Sequence, residues 1–226
     1  MKNLKLAAVC LSCLTMTGCS ALNFSVEGLI NAPKLTSEQS EIHQALIESV
    51  GSNITLKYPK NGEYRSAYVI ANIDDEPTDE AMVFYEYTSN GSEEDGLRVN
   101  ILDKDEDGKW YSVKELAGAG TDIDQVIISP MGSNNQTDVF VGYQNLTNDE
   151  KTMEIYSYTD EDFKRVALDT YSVLEPLDIN NDGYIELITI QRSTNNDTGA
   201  VTAKASMLNM KNNEITRGEN VDMCDN

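Results

Sequence analysis

The chain is poor in the residues from which most active sites are built. It holds a single histidine, His43, and a single tryptophan, Trp110. It contains no Gly-x-Ser-x-Gly, no P-loop and no His-Glu-x-x-His, so the common nucleophile, phosphate and zinc signatures are missing. Of its four cysteines, Cys10, Cys13 and Cys19 fall within the first nineteen residues, and Cys224 stands alone. A disulfide framework in the body of the chain is therefore excluded, and the fold must be held by its core and by any metal it binds. Basic residues are scarce as well: 17 Lys and Arg face 38 Asp and Glu, a net charge of −21. Such a surface repels phosphate backbones, which argues against nucleic acid as a partner and favours cations or a basic protein patch.

Residues 1–18 have the form of an export signal. Lys2 and Lys5 make a basic start, and Leu6–Leu14 is apolar but too short to span a bilayer. Met16-Thr17-Gly18-Cys19 follows. A small residue before a cysteine, after such a core, resembles the lipobox of bacterial lipoproteins, although Met stands where Leu is commoner. The resemblance implies cleavage before Cys19 and diacylation of its sulfur. Losing residues 1–18 removes two Lys and no acid, leaving 15 basic and 38 acidic residues and a net charge of −23. A diacylglyceryl group carries two chains, enough for stable attachment. The expected location is the extracytoplasmic face of the cell membrane, reached by lipid, with residues 19–35 as the lipidated cysteine and its tether.

Residues 36–51 predict one amphipathic helix. Thr36-Ser37-Glu38-Gln39 has the form of a capping box, Ile42, Ala45, Leu46 and Val50 recur at helical spacing, and Gly51 suits a C-terminal stop. His43 lies on this helix beside Ile42, where a surface role is the ordinary one. After Gly51 the pattern changes to short runs rich in Val, Ile, Tyr and Thr, separated by Asn, Asp and Gly. Strands are predicted over 54–58, 65–71, 81–87, 97–102, 110–116, 125–129, 138–143, 153–158, 163–168, 172–177, 186–191, 201–209 and 214–217.

One segment occurs twice. Residues 178–190 (DINNDGYIELITI) and 72–84 (NIDDEPTDEAMVF) align without a gap, 106 residues apart. Both place oxygen-bearing side chains at the first, third, fifth and ninth positions, ahead of an apolar strand. Between them, Pro130–Thr137 reads as an altered copy, one residue longer and without the acidic pattern. Asp105–Gly108, Asp160–Asp162 and Asn212-Asn213 each separate two short strands as hairpin turns, at intervals of about fifty residues. Each unit then holds four antiparallel strands, which suits a propeller blade. The fold class is read as all-β. Residues 52–226 form a partial or open propeller-like array of about three four-stranded antiparallel blades, the last incomplete, with the helix in front. Propellers generally close with four or more blades, so the chain is expected to be a fragment, an open arc, or a sheet stack that pairs with another chain.

Asp178-x-Asn180-x-Asp182-Gly183-x-x-Glu186-Leu187, repeated at blade spacing, resembles the VCBS/FG-GAP-like repeat family of β-propellers over about 65–220. The helix at 37–50 and Lys57-Tyr58-Pro59 also resemble the start of propeller-like lipoproteins of Gram-positive gut bacteria. The resemblance implies a calcium loop in which Asp178, Asn180, Asp182 and Glu186 give side-chain oxygens and Tyr184 its carbonyl. Independently, calcium seeks six to eight hard oxygens, and alternate residues of a tight loop can point them inward. An Asx-rich turn held by its own side chains is the competing explanation. The 72–80 loop offers Asn72, Asp74, Glu76, the carbonyl of Thr78 and Glu80 as a weaker site, because Pro77 replaces the glycine and cannot take a positive φ. Asp103-x-Asp105-x-Asp107-Gly108 has the same spacing but lacks the later acid, and an Asp-Gly hairpin turn accounts for it.

No catalytic residue is assigned. The leading functional expectation is a lipid-anchored surface protein whose calcium-stabilised sheets form a platform for a protein or glycan ligand. Two others stand beside it. One is a glycan-active enzyme working with a carboxylate pair. The other is an accessory subunit of an envelope complex that pairs through an open edge.

Overall fold

The computed structural model describes residues 35–88, 96–132, 136–145, 150–194, 198–211 and 214–223. The signal 1–18, Cys19, nearly all of the tether, the Asn212-Asn213 turn and Cys224 lie outside them. From Ser37 onward the chain makes one compact unit.

Helix α1 spans Ser37–Val50. It begins after Thr36, as the capping box requires, and ends where Gly51 turns to φ 86° and its N–H donates to Ile47 O at 2.9 Å. Strands follow in three antiparallel sheets, none of them closed. The first sheet joins β1 (Ile54–Leu56), β2 (Tyr68–Ala71), β3 (Glu80–Tyr87), β4 (Leu97–Lys104) and β5 (Trp110–Ala117). β1 and β2 share one edge of β3: Ile54 faces Tyr87, and Tyr68 faces Val83. The second sheet is a four-strand meander of β6 (Asp122–Ser129), β7 (Asp138–Gln144), β8 (Lys151–Thr159) and β9 (Asp162–Tyr171). The third runs β10 (Val173–Leu177), β11 (Glu186–Thr194), β12 (Val201–Lys211) and β13 (Glu214–Arg217), with β14 (Val221–Met223) on the same edge of β12 as β13.

The expected strands are all present; β1, β2 and β10 are shorter than expected, most of the others are longer at one or both ends, and only β14 is unforeseen by the sequence pattern. Its three residues follow Gly218-Glu219-Asn220, too short a run to show alternation. The hairpin at Asp160-Glu161 has both residues at positive φ, 52° and 59°. That is the type I′ geometry that matches strand twist, adopted here without glycine.

The layers stack in chain order. Ile42, Ala45 and Leu46 of α1 bury against Val83, Tyr85 and Trp110 on one face of the first sheet. Met82, Phe84, Val99 and Ile101 point the other way, into Val139, Val141 and Tyr156 of the second sheet. The reverse face of the second sheet, with Phe140, Met153 and Ile155, packs on Leu174, Leu187 and Leu208 of the third. β3 and β7 are therefore buried on both faces, and their sequences read as continuous apolar runs.

A polar cluster fastens the second sheet. Asp124, 2% exposed, sits at the β6 bulge. It accepts from Asn61 Nδ2 at 2.8 Å, from Tyr171 Oη at 2.7 Å and from Lys151 Nζ at 2.8 Å. Burial would raise this carboxyl, but Lys151, Tyr171 and Asn61 hold it below its ordinary value. The Lys60 and Asn61 amides also donate to Ile123 O and Asp124 O, which pins the loop of the first sheet along β6. Tyr171 reaches across only because residue 142 lacks a side chain: a methyl on Gly142 would land on the Tyr171 hydroxyl and crowd Phe140. Gly142→Ala is expected to cost about 3 kcal/mol through overpacking and loss of the Tyr171–Asp124 bond, read as a lowered melting temperature.

Candidate functional site

The three repeated loops share one device. In each, the amide N–H of the loop's second residue donates to a carboxylate seven positions later, at the first residue of the next strand. Ile73 N–H meets Glu80 Oε2 at 2.8 Å, Met131 N–H meets Asp138 Oδ2 at 2.9 Å, and Ile179 N–H meets Glu186 Oε2 at 2.9 Å. Glu80 and Asp138 are each 1% exposed and Glu186 is 9%. The middle loop is thus no longer than its neighbours across this interval, and it keeps the final acid. What it lacks is the earlier pattern, since Pro130 stands at the first position. Asp138 also accepts from the Ser157 hydroxyl, and burial raises its carboxyl above the ordinary range. Ile185 N–H donates to Pro130 O at 3.0 Å, so the second and third loops lie side by side.

The 178–186 loop is the most regular. Asn181 and Gly183 take positive φ, 58° and 89°, and these two left-handed steps wind the chain tightly. Asp178 accepts from the amides of Asp182 at 3.1 Å and Gly183 at 3.0 Å. Asn180 Oδ1 accepts from Asp182 N at 2.9 Å, and Asp182 Oδ1 accepts from Tyr184 N at 2.9 Å. The Asn180 amide nitrogen then donates to Asp182 Oδ2 at 2.9 Å and to Glu186 Oε1 at 3.3 Å. A positive dipole end therefore sits between two carboxylates.

The donor set is the hard-oxygen kind that a calcium ion takes. In the conformation seen, those oxygens are engaged by backbone amides, which is the Asx-turn arrangement. Among the described residues no three Asp, Glu, His or Cys side chains converge to hold a metal ion.

The 72–80 loop is put together differently. Asn72 Nδ2 donates to the carbonyls of Glu76 at 2.5 Å and Thr78 at 2.9 Å, so the Thr78 carbonyl expected as a ligand is already taken. Asp74 Oδ1 accepts from Glu76 N at 2.7 Å, while the exposed Glu76 side chain lies outside the buried part of the loop. Glu80 Oε1 has no hydrogen-bond partner although the residue is buried. In the Asp103–Gly108 segment, Asp105 accepts from the amides of Asp107 and Lys109, and Gly108 takes φ 77°. This segment is the hairpin turn between β4 and β5. His43 Nδ1 shares a 2.8 Å hydrogen bond with the Tyr68 hydroxyl, which ties α1 to the first sheet.

Sequence reasoning missed Asp124, whose partners come from three distant segments. It also missed Asp138 as a relative of Glu80 and Glu186. The signal for Asp138 was present, because an acid opens each of these strands at the same distance from the preceding loop. No helix among the described residues is long and apolar enough to cross a membrane. No protein-family model matches the chain, and no match was found to a curated protein or to a solved structure.

Burial, helped by Asp74 and Asp103 against the pull of the Ile73 amide, pushes Glu80 from an ordinary 4.5 up to about 7. Between those two values the unfolded chain releases a proton that the folded chain keeps. This group's contribution to stability is therefore complete below pH 4.5, falls by up to roughly 3 kcal/mol as pH rises to 7, and is level above. Glu80→Gln is expected to remove that decline, so that the variant gains on the wild type from acid to neutral pH. Melting curves against pH, with chelator present, would check it.

Proposed function

We propose that the protein is a lipid-anchored lipoprotein of the outer face of a bacterial membrane, built from VCBS/FG-GAP-like repeats as an open propeller-like array. In this reading its stacked sheets carry a structural calcium ion and present a rigid platform for a protein or glycan ligand. The observation that carries the reading is the 178–186 loop, where two left-handed residues fold Asp178, Asn180, Asp182 and Glu186 around one turn. Those four side chains and the Tyr184 carbonyl would hold the ion. The Asn180 side chain would then present its oxygen, in place of the amide nitrogen now held between Asp182 and Glu186. Calcium there supplies charge neutralisation: it offsets the mutual repulsion of three carboxylates in a chain of net charge −21. The first loop supports a second ion less well, because Asn72 occupies the carbonyls of Glu76 and Thr78.

The role is structural in this reading, and the residues support it. His43 serves helix packing through Tyr68, and the buried acids Asp124 and Asp138 are each fastened by neighbouring donors.

Calcium titration of the full-length protein by calorimetry should show one site. Thermal melting should rise with calcium, by about 1.4 kcal/mol at ten times the dissociation constant. Asp182→Ala should abolish both effects while leaving the metal-free melt nearly unchanged. Binding that persists in Asp182→Ala, or no binding at all, would sink the metal assignment.

The anchor is tested separately. Cys19→Ser should move the protein from the membrane fraction to the soluble fraction, and the wild type should carry the added mass of a diacylglyceryl group. A wild-type protein of unmodified mass would remove the lipoprotein reading.

A further inference from the structure

The outward face of the third sheet carries the inference, and it does not depend on the calcium reading. Among the described residues every other sheet face in the stack is covered: α1 covers the first sheet, and the three sheets cover one another. The outer face of the third sheet exposes Val173, Leu177, Val201, Met207, Val221 and Met223 at 37% to 64%. Isolated surface apolar residues need no explanation, but a contiguous set on one sheet face does.

The register shows that this face repeats two faces that are already buried. Counted from the clamp carboxylate, positions two and four on β3 are Met82 and Phe84, opposite Ile101 and Val99 of β4. All four bury against the second sheet. The same positions on β7 are Phe140 and Gly142, opposite Ile155 and Met153, and this face buries against the third sheet. On β11 they are Ile188 and Ile190, opposite Met207 and Ala205. The third sheet thus presents, position for position, the surface that receives another sheet at the two interfaces above it.

We propose that this face is the pairing surface for a second copy of the chain, set tail to tail so that the two outer faces pack on each other. A copy stacked head to tail would offer α1 instead, whose exposed side carries Glu38, Glu41, Gln44 and Glu48 and could not cover an apolar surface. The outer face of the third sheet is the sheet face that a second copy leaves uncovered. Its charges are self-complementary: Glu175 stands opposite Ile188, level with Met207, and Arg192, two residues past Ile190, stands level with Ala203 and Met223. A two-fold axis running across the strands brings the Glu175 of each copy to the Arg192 of the other. Such an isologous contact closes at two copies and does not propagate. The overall charge of −21 opposes it, so pairing should strengthen as salt screens the repulsion.

Light scattering and sedimentation of the full-length protein at rising concentration and salt would test this. The expected result is a dimer, with Met207 and Met223 protected from peroxide oxidation as the dimer forms. Met207→Arg should weaken pairing at least about tenfold. Because that change makes the chain less negative, a loss of pairing could not come from added repulsion. Val173→Lys, at the patch's other side, is a second variant, and an unchanged far-ultraviolet spectrum would show that each folds. Three outcomes would overturn the proposal: a wild type that stays monomeric, association that both variants retain, or growth into a ladder of larger oligomers. A monomer whose outer face takes up only a different protein counts with the first.

Discussion

Everything in this molecule hangs on where β3, β7 and β11, one strand in each sheet, begin. A buried acid stands at that point in all three sheets, and an amide seven residues earlier is fixed to it. A slip of one residue in β3 would exchange the faces of Met82 and Val83, and with them the partners of α1 and of the second sheet. Hydrophobicity alone cannot prevent that slip, because β3 and β7 are apolar on both sides. A buried carboxyl can, since moving it off its donor leaves both it and the amide unpaired in the interior. The clamp is thus a register device, and Asp138 serves in it although its loop lacks the earlier oxygens.

Much of this is legible in the amino-acid sequence. The α1 boundaries follow from Thr36 and Gly51, because capping chemistry is local. The strand series follows from alternation and turn residues for the same reason. What escapes is long-range or short. Asp124 draws its partners from residues 61, 151 and 171, and nothing in the local sequence marks that meeting. β14 is three exposed residues on the edge of β12. The middle loop resembles an insertion when it is aligned on its residue types, whereas the amide-to-carboxylate interval aligns it correctly. The calcium-like spacing occurs three times, and it resolves into three different hydrogen-bond patterns. Spacing of oxygens specifies a tight loop, and the left-handed residues then decide how that loop winds.

A protein with one histidine, held by a tyrosine in a helix–sheet contact, has little means for proton transfer near neutrality except through its carboxylates. The carboxylates with the deepest burial are engaged in holding strands and loops together. The acidic exterior, at a net charge of −21, repels anions and attracts cations.

The meander topology of the sheets has a consequence for how the chain can change. Nearly every strand pairs with its neighbour in sequence, so closing each pair costs only a short loop. The apolar long-range contacts lie on the flat faces between layers, with loop contacts such as Asn61–Asp124 and Ile185–Pro130 beside them. A unit of this kind forms its strand ladders within itself, and its neighbours chiefly dry its faces. Duplicating one such stretch of sequence would thicken the stack by a layer without rethreading any strand. Deleting one would bring two matching faces together, so this architecture is one in which length is free to drift while the interface stays the same.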